Sequence, residues 1–486
     1  MMSCTGLKWW PIFLLFTIDL AASNDIRLVD AAKNQKKDEI RALLKQHIDV
    51  DAPYGDGTTA LHWAAHWNDL EMAGLLIDGG ANVNAQTDLG VTPLYLAAEI
   101  GSTAMTEKLF SAGANPNITA ATGVSPLMLA SRAGAPDVVR VLLAHKAEMN
   151  AREKQNEQTA LMWATAQGHK EVVRILAKAR ADVNVRSKVI PMLVNRGGEG
   201  DSTKSVEWVQ SGGSTALLFA ARRGDIESAK ILLEFGANVN DTSADGNSAL
   251  VIAAHSGNGE FARFLLEKGA DPNAVGAGYT VLHAAVLKDD LELLKASLAH
   301  GANPNIPLTK GTPIRRQGPD FFLPASLIGA TPFLLAAKYA SVDMMHALVA
   351  AGADTKLATS NGTTPLMAAA NGDRRHQMGL TGGDDDYEPQ GADTKGPDVI
   401  KYLLDLGADV NAANQAGDTA LHVAVAGKAN TIIPLLVERG AILDTKNKRG
   451  QTPLALASVG ARRGAAARKA QNNSTADLLR KLGAKD

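Results

Sequence analysis

The sequence predicts an all-α solenoid of about twelve stacked units, and two repeated phrases predict it. The first phrase, Thr59-Ala-Leu-His-Trp-Ala-Ala65, returns in eleven copies along the 486 residues, most of them 32 to 34 residues apart. The second phrase, Gly-Ala-Asx-x-Asn, follows about 21 residues after the start of the first, as in residues 80–84. A fixed period of this length is typical of chains in which each unit buries its apolar face against the next.

Each phrase supplies an element of the predicted unit, in chain order. The Thr or Ser that opens the first phrase is a good N-cap, and Pro93 follows the preference for Pro at the first helical position. The paired alanines let a neighbouring helix approach closely, which accounts for 81 Ala in the chain. A second helix follows, with apolar residues at helical spacing, as in residues 138–143. Gly80 and its equivalents end that helix, and Asp245-Gly246 represents the tight turn that returns the chain.

The two ends of the array carry polar versions of the unit. Residues 25–56 are interpreted as a degenerate first repeat, with one helix around Ala31 and a second around residues 40–44. Residues 475–482 supply a polar last helix. Terminal units of a solenoid need such a polar outer surface, because no neighbour covers them.

These phrases resemble the ankyrin repeat, which has a period of 33 residues and a Thr-Pro-Leu-His-x-Ala phrase. The chain is also similar to long, exported bacterial ankyrin-repeat proteins. The resemblance implies helix-turn-helix units joined by β-hairpin loops. It also implies a concave surface that binds another protein and performs no catalysis.

The N-terminus has the layout of a secretory signal peptide. Lys8 provides the positive charge, a short apolar stretch runs to Leu20, and Ala21-Ala22-Ser23 offers a small-residue cleavage site. We therefore expect residues 1–23 to be removed, residues 24–486 to form the solenoid, and the protein to be periplasmic or secreted. The alternative is a cytoplasmic protein whose start codon lies further along. No later stretch is long and apolar enough to predict a membrane span.

Three insertions interrupt the period, at about residues 185–212, 307–328 and 372–396. Insertions in repeat proteins often form loops on a binding face. The first two fall at hairpin positions, and the third falls between the two helices of one repeat. Arg and aromatic side chains are frequent interface anchors, so partner contacts are predicted at Trp208, Arg315, Arg316, Phe321 and Phe322. The alternative is that the aromatic residues only pack their own loops.

The positions that follow the paired alanines should also line the concave surface. Among them, Trp67, Arg222, Arg223 and Tyr339 are predicted to contact a partner. The alternative for any one of them is an ordinary solvated position.

No catalytic or metal-binding pattern is present, and no cofactor is predicted. His62, His283 and His422 recur at one place in the first phrase, where a hydrogen-bonding role between neighbouring repeats explains them. Asp384 begins a stretch like a calcium loop, but its twelfth position is Lys395 where a Glu is needed. Cys4 is the single cysteine, which excludes a disulfide scaffold, a Cys-based zinc site and an iron–sulfur cluster. A net charge of -2 argues against general nucleic-acid binding.

We therefore predict a non-catalytic, monomeric scaffold that binds another protein through its concave surface and inserted loops. Two alternatives remain at this point. The chain could regulate a particular exported enzyme as its inhibitor, protector or delivery factor. Less favoured is an enzyme with a site between insertions, because the insertions contain no recognisable nucleophile and base.

Overall fold

A computed structural model of the protein describes residues 25–195, 206–311, 323–371, 396–459 and 466–485. The chain divides into two compact units, Met1–Glu148 (unit 1) and Met149–Asp486 (unit 2). The predicted all-α repeat fold is confirmed, since the described residues form twelve pairs of short helices.

Unit 1 contains four helix pairs. They are α1 (Arg27–Lys33) and α2 (Lys37–Leu44), α3 (Ala60–His66) and α4 (Leu70–Asp78), α5 (Pro93–Glu99) and α6 (Thr103–Ser111), and α7 (Pro126–Ala133) and α8 (Pro136–Ala144). The first pair confirms the degenerate first repeat.

Unit 2 contains eight helix pairs and one two-stranded sheet. Its helices before the second insertion are α9 (Ala160–Gln167), α10 (Lys170–Lys178), α11 (Ala216–Arg223), α12 (Ile226–Glu234), α13 (Ala249–His255), α14 (Gly259–Glu267), α15 (Val281–Lys288) and α16 (Leu291–Ala299). The remaining helices are α17 (Pro332–Lys338), α18 (Val342–Ala350), α19 (Pro365–Ala370), α20 (Gly396–Asp405), α21 (Ala420–Gly427), α22 (Ile433–Glu438), α23 (Pro453–Val459) and α24 (Ala466–Lys481). The polar last helix is thus present, but it begins earlier than the sequence predicts.

Within each unit, odd-numbered helices pack against one another in one row and even-numbered helices pack in a second row. We call them inner and outer helices. The paired alanines lie in the inner row and are removed from water, as Ala64 and Ala65 show. Small side chains permit close approach of neighbouring helices, as the sequence predicts.

In most phrases the opening Thr or Ser caps an inner helix with its hydroxyl, whereas Thr215 donates its hydroxyl to Asp241 instead. The Thr92 hydroxyl accepts a hydrogen bond from the Tyr95 amide at 3.1 Å, and the Ser125 hydroxyl accepts one from the Met128 amide at 3.3 Å. These bonds satisfy a backbone donor that the first turn leaves free.

The last Asn of the second phrase joins one repeat to the next, a role that was not predicted from the sequence. The side-chain oxygen of Asn84 accepts from the Asn115 amide at 2.8 Å. Its amide nitrogen donates to the Gly113 carbonyl at 3.1 Å. The same pair of bonds links Asn240 to Asp271 and Gly269 in unit 2.

We call the turn before each inner helix a finger, and most fingers are linked to the next one by a backbone hydrogen bond. In unit 1 the Asp88 amide donates to the Asp56 carbonyl at 2.9 Å. The neighbouring Gly57 has a φ of +82°, and a side chain there would place its Cβ 2.9 Å from the Thr87 Cα. Both facts explain why glycine stands two residues before the capping Thr.

The first insertion forms a β-hairpin in unit 2. Strand β1 (Val189–Asn195) pairs antiparallel with β2 (Val206–Gly212). The second insertion includes a short 3₁₀ turn, Ala325–Leu327, while residues 312–322 lie outside the described part. Most of the third, residues 372–395, also lies outside it, between α19 and α20.

Candidate interaction surfaces

The three recurring histidines serve the fold. The His62 Nδ1 accepts a hydrogen bond from the Thr59 amide at 3.1 Å, and its Nε2 lies 2.9 Å from the Val91 carbonyl oxygen of the next finger. His283 and His422 make the same contacts, with the carbonyl groups of Ala330 and Gln451. Because Nδ1 accepts, the proton of the neutral ring stands on Nε2 and is donated to the next repeat. The predicted hydrogen-bonding role between repeats is confirmed.

Burial keeps two of these rings neutral. His283 is fully enclosed, and burial lowers its pKa from 6.5 to about 4. Burial also lowers the pKa of His62, against the opposing effect of the Val91 carbonyl. The charged form is disfavoured because both rings are enclosed by protein, which removes the solvation that an imidazolium needs.

An aromatic patch lies on unit 1 at the end of α3. The rings of Trp63 and Trp67 stack with centroids 6.1 Å apart, and His66 packs edge-on against both. Lys33 Nζ lies 5.6 Å from the Trp63 ring centroid and 5.5 Å from that of Tyr54. Trp67 is 42% exposed, so the predicted contact residue is accessible, while Trp63 supports it from below.

The surroundings of this patch are acidic. Residues 51–100 contain seven Asp and Glu and no Lys or Arg. Asp56 and Asp88 stand exposed on the fingers. Two residues beyond the alanine pair of the next repeat, Ile100 is exposed like Trp67, and Glu99 forms an ion pair with Arg132 at 3.1 Å.

The hairpin of unit 2 rises from a firmly bonded root. The Gly213 amide donates to the Lys188 carbonyl at 3.3 Å, and the Ser187 amide donates to the Ser214 carbonyl at 3.0 Å. Neighbouring fingers hold the root from both sides, through Lys188 to Asn156 and through Ala244 to Gly212. Two strands alone are marginally stable in water, so these bonds matter for the position of the hairpin.

A buried carboxylate completes the root. Asp241 accepts from the Thr215 hydroxyl at 2.8 Å and forms an ion pair with Arg186. Arg186 in turn donates to the carbonyl groups of Gly213 and Thr242. A buried charge with this many partners fixes the angle at which the hairpin leaves the repeat.

The hairpin presents an apolar face to solvent. Val189, Pro191 and Leu193 alternate along β1 and therefore share a face, and Leu193 stands opposite Trp208 across the ladder. Leu193 is 54% exposed and Trp208 is 69% exposed. On the other face Val194 is buried, whereas Ile190 and Met192 are 45% and 44% exposed. Trp208 is therefore accessible where a partner contact is predicted, and it lies on a strand that the repeat pattern does not indicate.

The predicted contact residues Arg222 and Arg223 are exposed at the end of α11. Arg222 lies over the Phe219 ring, with the guanidinium carbon 5.8 Å from the ring centroid. Arg223 Nη1 donates to the Ala166 carbonyl at 3.4 Å. A Cβ at Gly168 would lie 2.5 Å from Arg223 Nε, so the glycine makes room for this guanidinium.

The prediction that Tyr339 contacts a partner is wrong, because the residue is only 2% exposed. It is the C-cap of α17, and the following Ala340 has a φ of +54°. Lys338 Nζ lies 5.1 Å from the ring centroid. Burial of a large aromatic ring stabilises the fold by removing apolar surface from water. Tyr339 is buried in this way, whereas Trp67, at the same position of its repeat, stays accessible.

Several predictions fall outside the described residues. They concern the contact residues Arg315, Arg316, Phe321 and Phe322, the calcium-like stretch at Asp384, and the signal peptide of residues 1–23. In the parts of the chain that are described, no helix is both long and apolar enough to cross a membrane. The same parts contain no group of three or more His, Cys, Asp or Glu arranged to hold a metal ion.

Comparison with known proteins finds matches to repeat proteins along most of the chain. A family model described as "Ankyrin repeats (3 copies)" matches residues 28–120, 94–187, 188–276, 217–308 and 391–468, and one described as "Ankyrin repeat" matches residues 361–415. Among solved structures, the crystal structure of the human ASB11 ankyrin repeat domain is 26% identical, with a TM-score of 0.41. That match covers 50% of this chain and 98% of the domain. No curated protein matches the chain.

Proposed function

The chain belongs to the ankyrin-repeat family, and from that premise we propose that it is a non-catalytic scaffold that binds another protein through the β1–β2 hairpin and the neighbouring inner helices. Ankyrin repeats generally mediate protein–protein interaction and are typically without catalytic activity. The observation that carries the proposal is the exposed pair Leu193 and Trp208 on a hairpin with a bonded root.

Large exposed apolar side chains are costly unless a partner covers them. Burying both side chains would contribute about 2 kcal/mol each, and Trp is the residue most enriched at interface hot spots. The root is already ordered by Asp241 and the neighbouring fingers. A partner would therefore bind with little loss of conformational entropy.

Capture of a partner by the full chain tests this function. The chain is immobilised, incubated with extract of its source cells, and the retained proteins are quantified by mass spectrometry. The double variant Leu193→Ser, Trp208→Ser should retain at least about tenfold less of the specific partner, because two central anchors are removed.

The matched control is Leu89→Ser, a finger residue of unit 1 that is also 69% exposed. It should retain the partner. Equal capture by the double variant and the unmutated chain, with both folded by circular dichroism, would show that the hairpin is not the anchor. Substrate turnover by the purified chain alone would contradict the absence of catalysis.

We also propose that this binding takes place outside the cytoplasm. The signal-like pattern ending at Ser23 supports export. N-terminal sequencing of the chain purified from its source should then begin at Asn24. A cytoplasmic chain that retains Met1 would contradict export and would leave the binding role intact.

A further inference from the structure

Positive charge recurs along the inner helices of unit 2. Directly after the alanine pairs, in the last turn or at the C-cap, stand Arg222 and Arg223 on α11, His255 on α13 and Lys338 on α17. Lys288 ends α15 three residues after its alanine pair and is followed by Asp289 and Asp290. Where unit 2 is described, none of the three residues after an alanine pair is acidic. The two arginines are exposed and the two lysines are half-buried.

The fingers of the same unit carry a second set of cations. Lys188, Lys310, Lys448 and Arg449 are exposed at finger positions, whereas Asp245 is exposed and Glu157 and Asp418 are half-buried at such positions. Lys310 Nζ donates to the Gly276 carbonyl at 3.4 Å, so it lies across the tip of the preceding finger. Unit 1 differs, because Asp56 and Asp88 occupy its fingers.

The helix ends and the fingers belong to one face, which we call the inner face of unit 2. The ring centroids of His255, at the end of α13, and Tyr279, in the next finger, are 5.9 Å apart. Favourable contact between a cation and a helix C-terminus accounts for the charges on the helices. It does not account for those on the fingers, which are remote from any helix C-terminus in sequence.

We propose that the inner face of unit 2 binds an extended acidic segment of a partner protein. This inference rests on the proposed scaffold function and specifies the chemistry of the partner. Packed helices are about 8–10 Å apart, and an extended chain advances about 10 Å in three residues. A segment with Asp or Glu at every third position would meet one cationic helix end per carboxylate. The helices α11, α13, α15 and α17 would accommodate about ten residues in this way.

Nucleic acid fits the face less well. Double-stranded DNA carries one charge per about 1.7 Å, whereas the inner face offers one or two cations per repeat. Single strands usually stack on exposed aromatic rings, and the inner-face aromatics Tyr279 and Tyr339 are buried. The apolar hairpin that adjoins α11 also suits a peptide with occasional large apolar side chains.

Fluorescence anisotropy with defined probes tests the proposal on the full chain. The probe is a labelled twelve-residue peptide with Glu at every third position. Its controls are the same peptide with Gln for Glu, and a labelled single-stranded oligonucleotide of twelve bases. Two independent double variants are measured, Arg222→Glu with Arg223→Glu, and Lys188→Glu with Lys310→Glu, so that a folding defect in one leaves the other informative.

The matched control reverses two charges on outer helices, Lys230→Glu with Lys295→Glu. Both lysines are exposed and pair with a Glu three residues before them. The acidic peptide should bind the unmutated chain and the control within about twofold, and bind each inner-face variant at least about tenfold more weakly. Affinity should also fall as salt rises from 50 to 300 mM.

Three results would overturn the proposal: equal binding of the Gln peptide, equal weakening by the outer-helix control, or tighter binding of the oligonucleotide. Failure of the acidic peptide to bind at all also overturns it. If protein capture still depends on Trp208 in that case, the scaffold function stands and only the acidic chemistry is wrong. If no protein is captured by the chain, the scaffold function itself fails.

Discussion

Unit 1 and unit 2 are built from the same repeat and carry opposite charge. Residues 1–148 contain 11 Lys and Arg against 16 Asp and Glu, whereas residues 149–486 contain 38 against 35. Both units use the same Thr caps, alanine pairs and histidine bonds. The difference teaches that the residues that specify this fold and those that select a partner occupy separate positions, so surface chemistry can change without disturbing the stack.

The largest expected effect concerns the buried histidine of the first phrase, which occurs in both units. Burial places the pKa of His283 at about 4, against 6.5 for an exposed ring. Between these values the unfolded chain binds more protons, so stability is full above pH 6.5 and falls as the pH drops towards 4. The loss at this site should approach about 3 kcal/mol.

Urea unfolding at pH 7 and pH 4.5 measures this effect. His283→Gln should flatten the pH dependence, because Gln can accept the Thr280 amide bond without titrating. The control is His300→Gln, at an exposed position of the same unit. Equal pH dependence of His283→Gln and the unmutated chain would show that this ring is not responsible.

The next effect distinguishes the units, because only unit 2 has the bonded hairpin root. Asp241→Ala should cost about 2 kcal/mol, since it leaves the Thr215 hydroxyl and Arg186 without their buried acceptor. Hydrogen exchange should accelerate in β1 and β2 while α3 and α5 of unit 1 stay protected. Unchanged protection of both strands would mean that Asp241 does not support the hairpin.

The smallest effect on stability should come from exchanging the charge of a finger. Asp88→Lys gives unit 1 a cation where unit 2 has Lys310, at an exposed site, so stability should change by less than about 0.5 kcal/mol. Affinity for the acidic peptide should rise slightly, by about twofold. A marked fall in the melting temperature would show that the stability of the fold depends on the charge of this finger.

Local signals account for most of what the sequence predicted. Each capping Thr or Ser is followed by a helix, because the cap and the first turn are determined by neighbours in the chain. The histidine hydrogen bonds were also predictable, because a residue that recurs at the same position of the repeat meets the same neighbours each time. The Asn84 bonds recur in the same way and could have been found by asking what the last Asn of the phrase contacts one repeat later.

What the sequence did not reveal depends on contacts between distant residues. The strands β1 and β2 lie in an insertion that contains neither phrase, so no repeat signal marks them. Tyr339 and Trp67 hold the same place in the repeat, yet one is buried and the other exposed. The inner face of unit 2 emerges only when charges from four helices and several fingers are placed side by side.

The finger bearing the hairpin has a consequence for protein engineering. Its two ends are joined directly by the Lys188 and Gly213 bond, so the stack does not depend on how much chain lies between them. Lengthening such a loop adds little entropic cost. Residues 189–211 are therefore a natural grafting site, where a different binding hairpin can be exchanged while Gly212 keeps its bond to Ala244 and the repeats below keep their register.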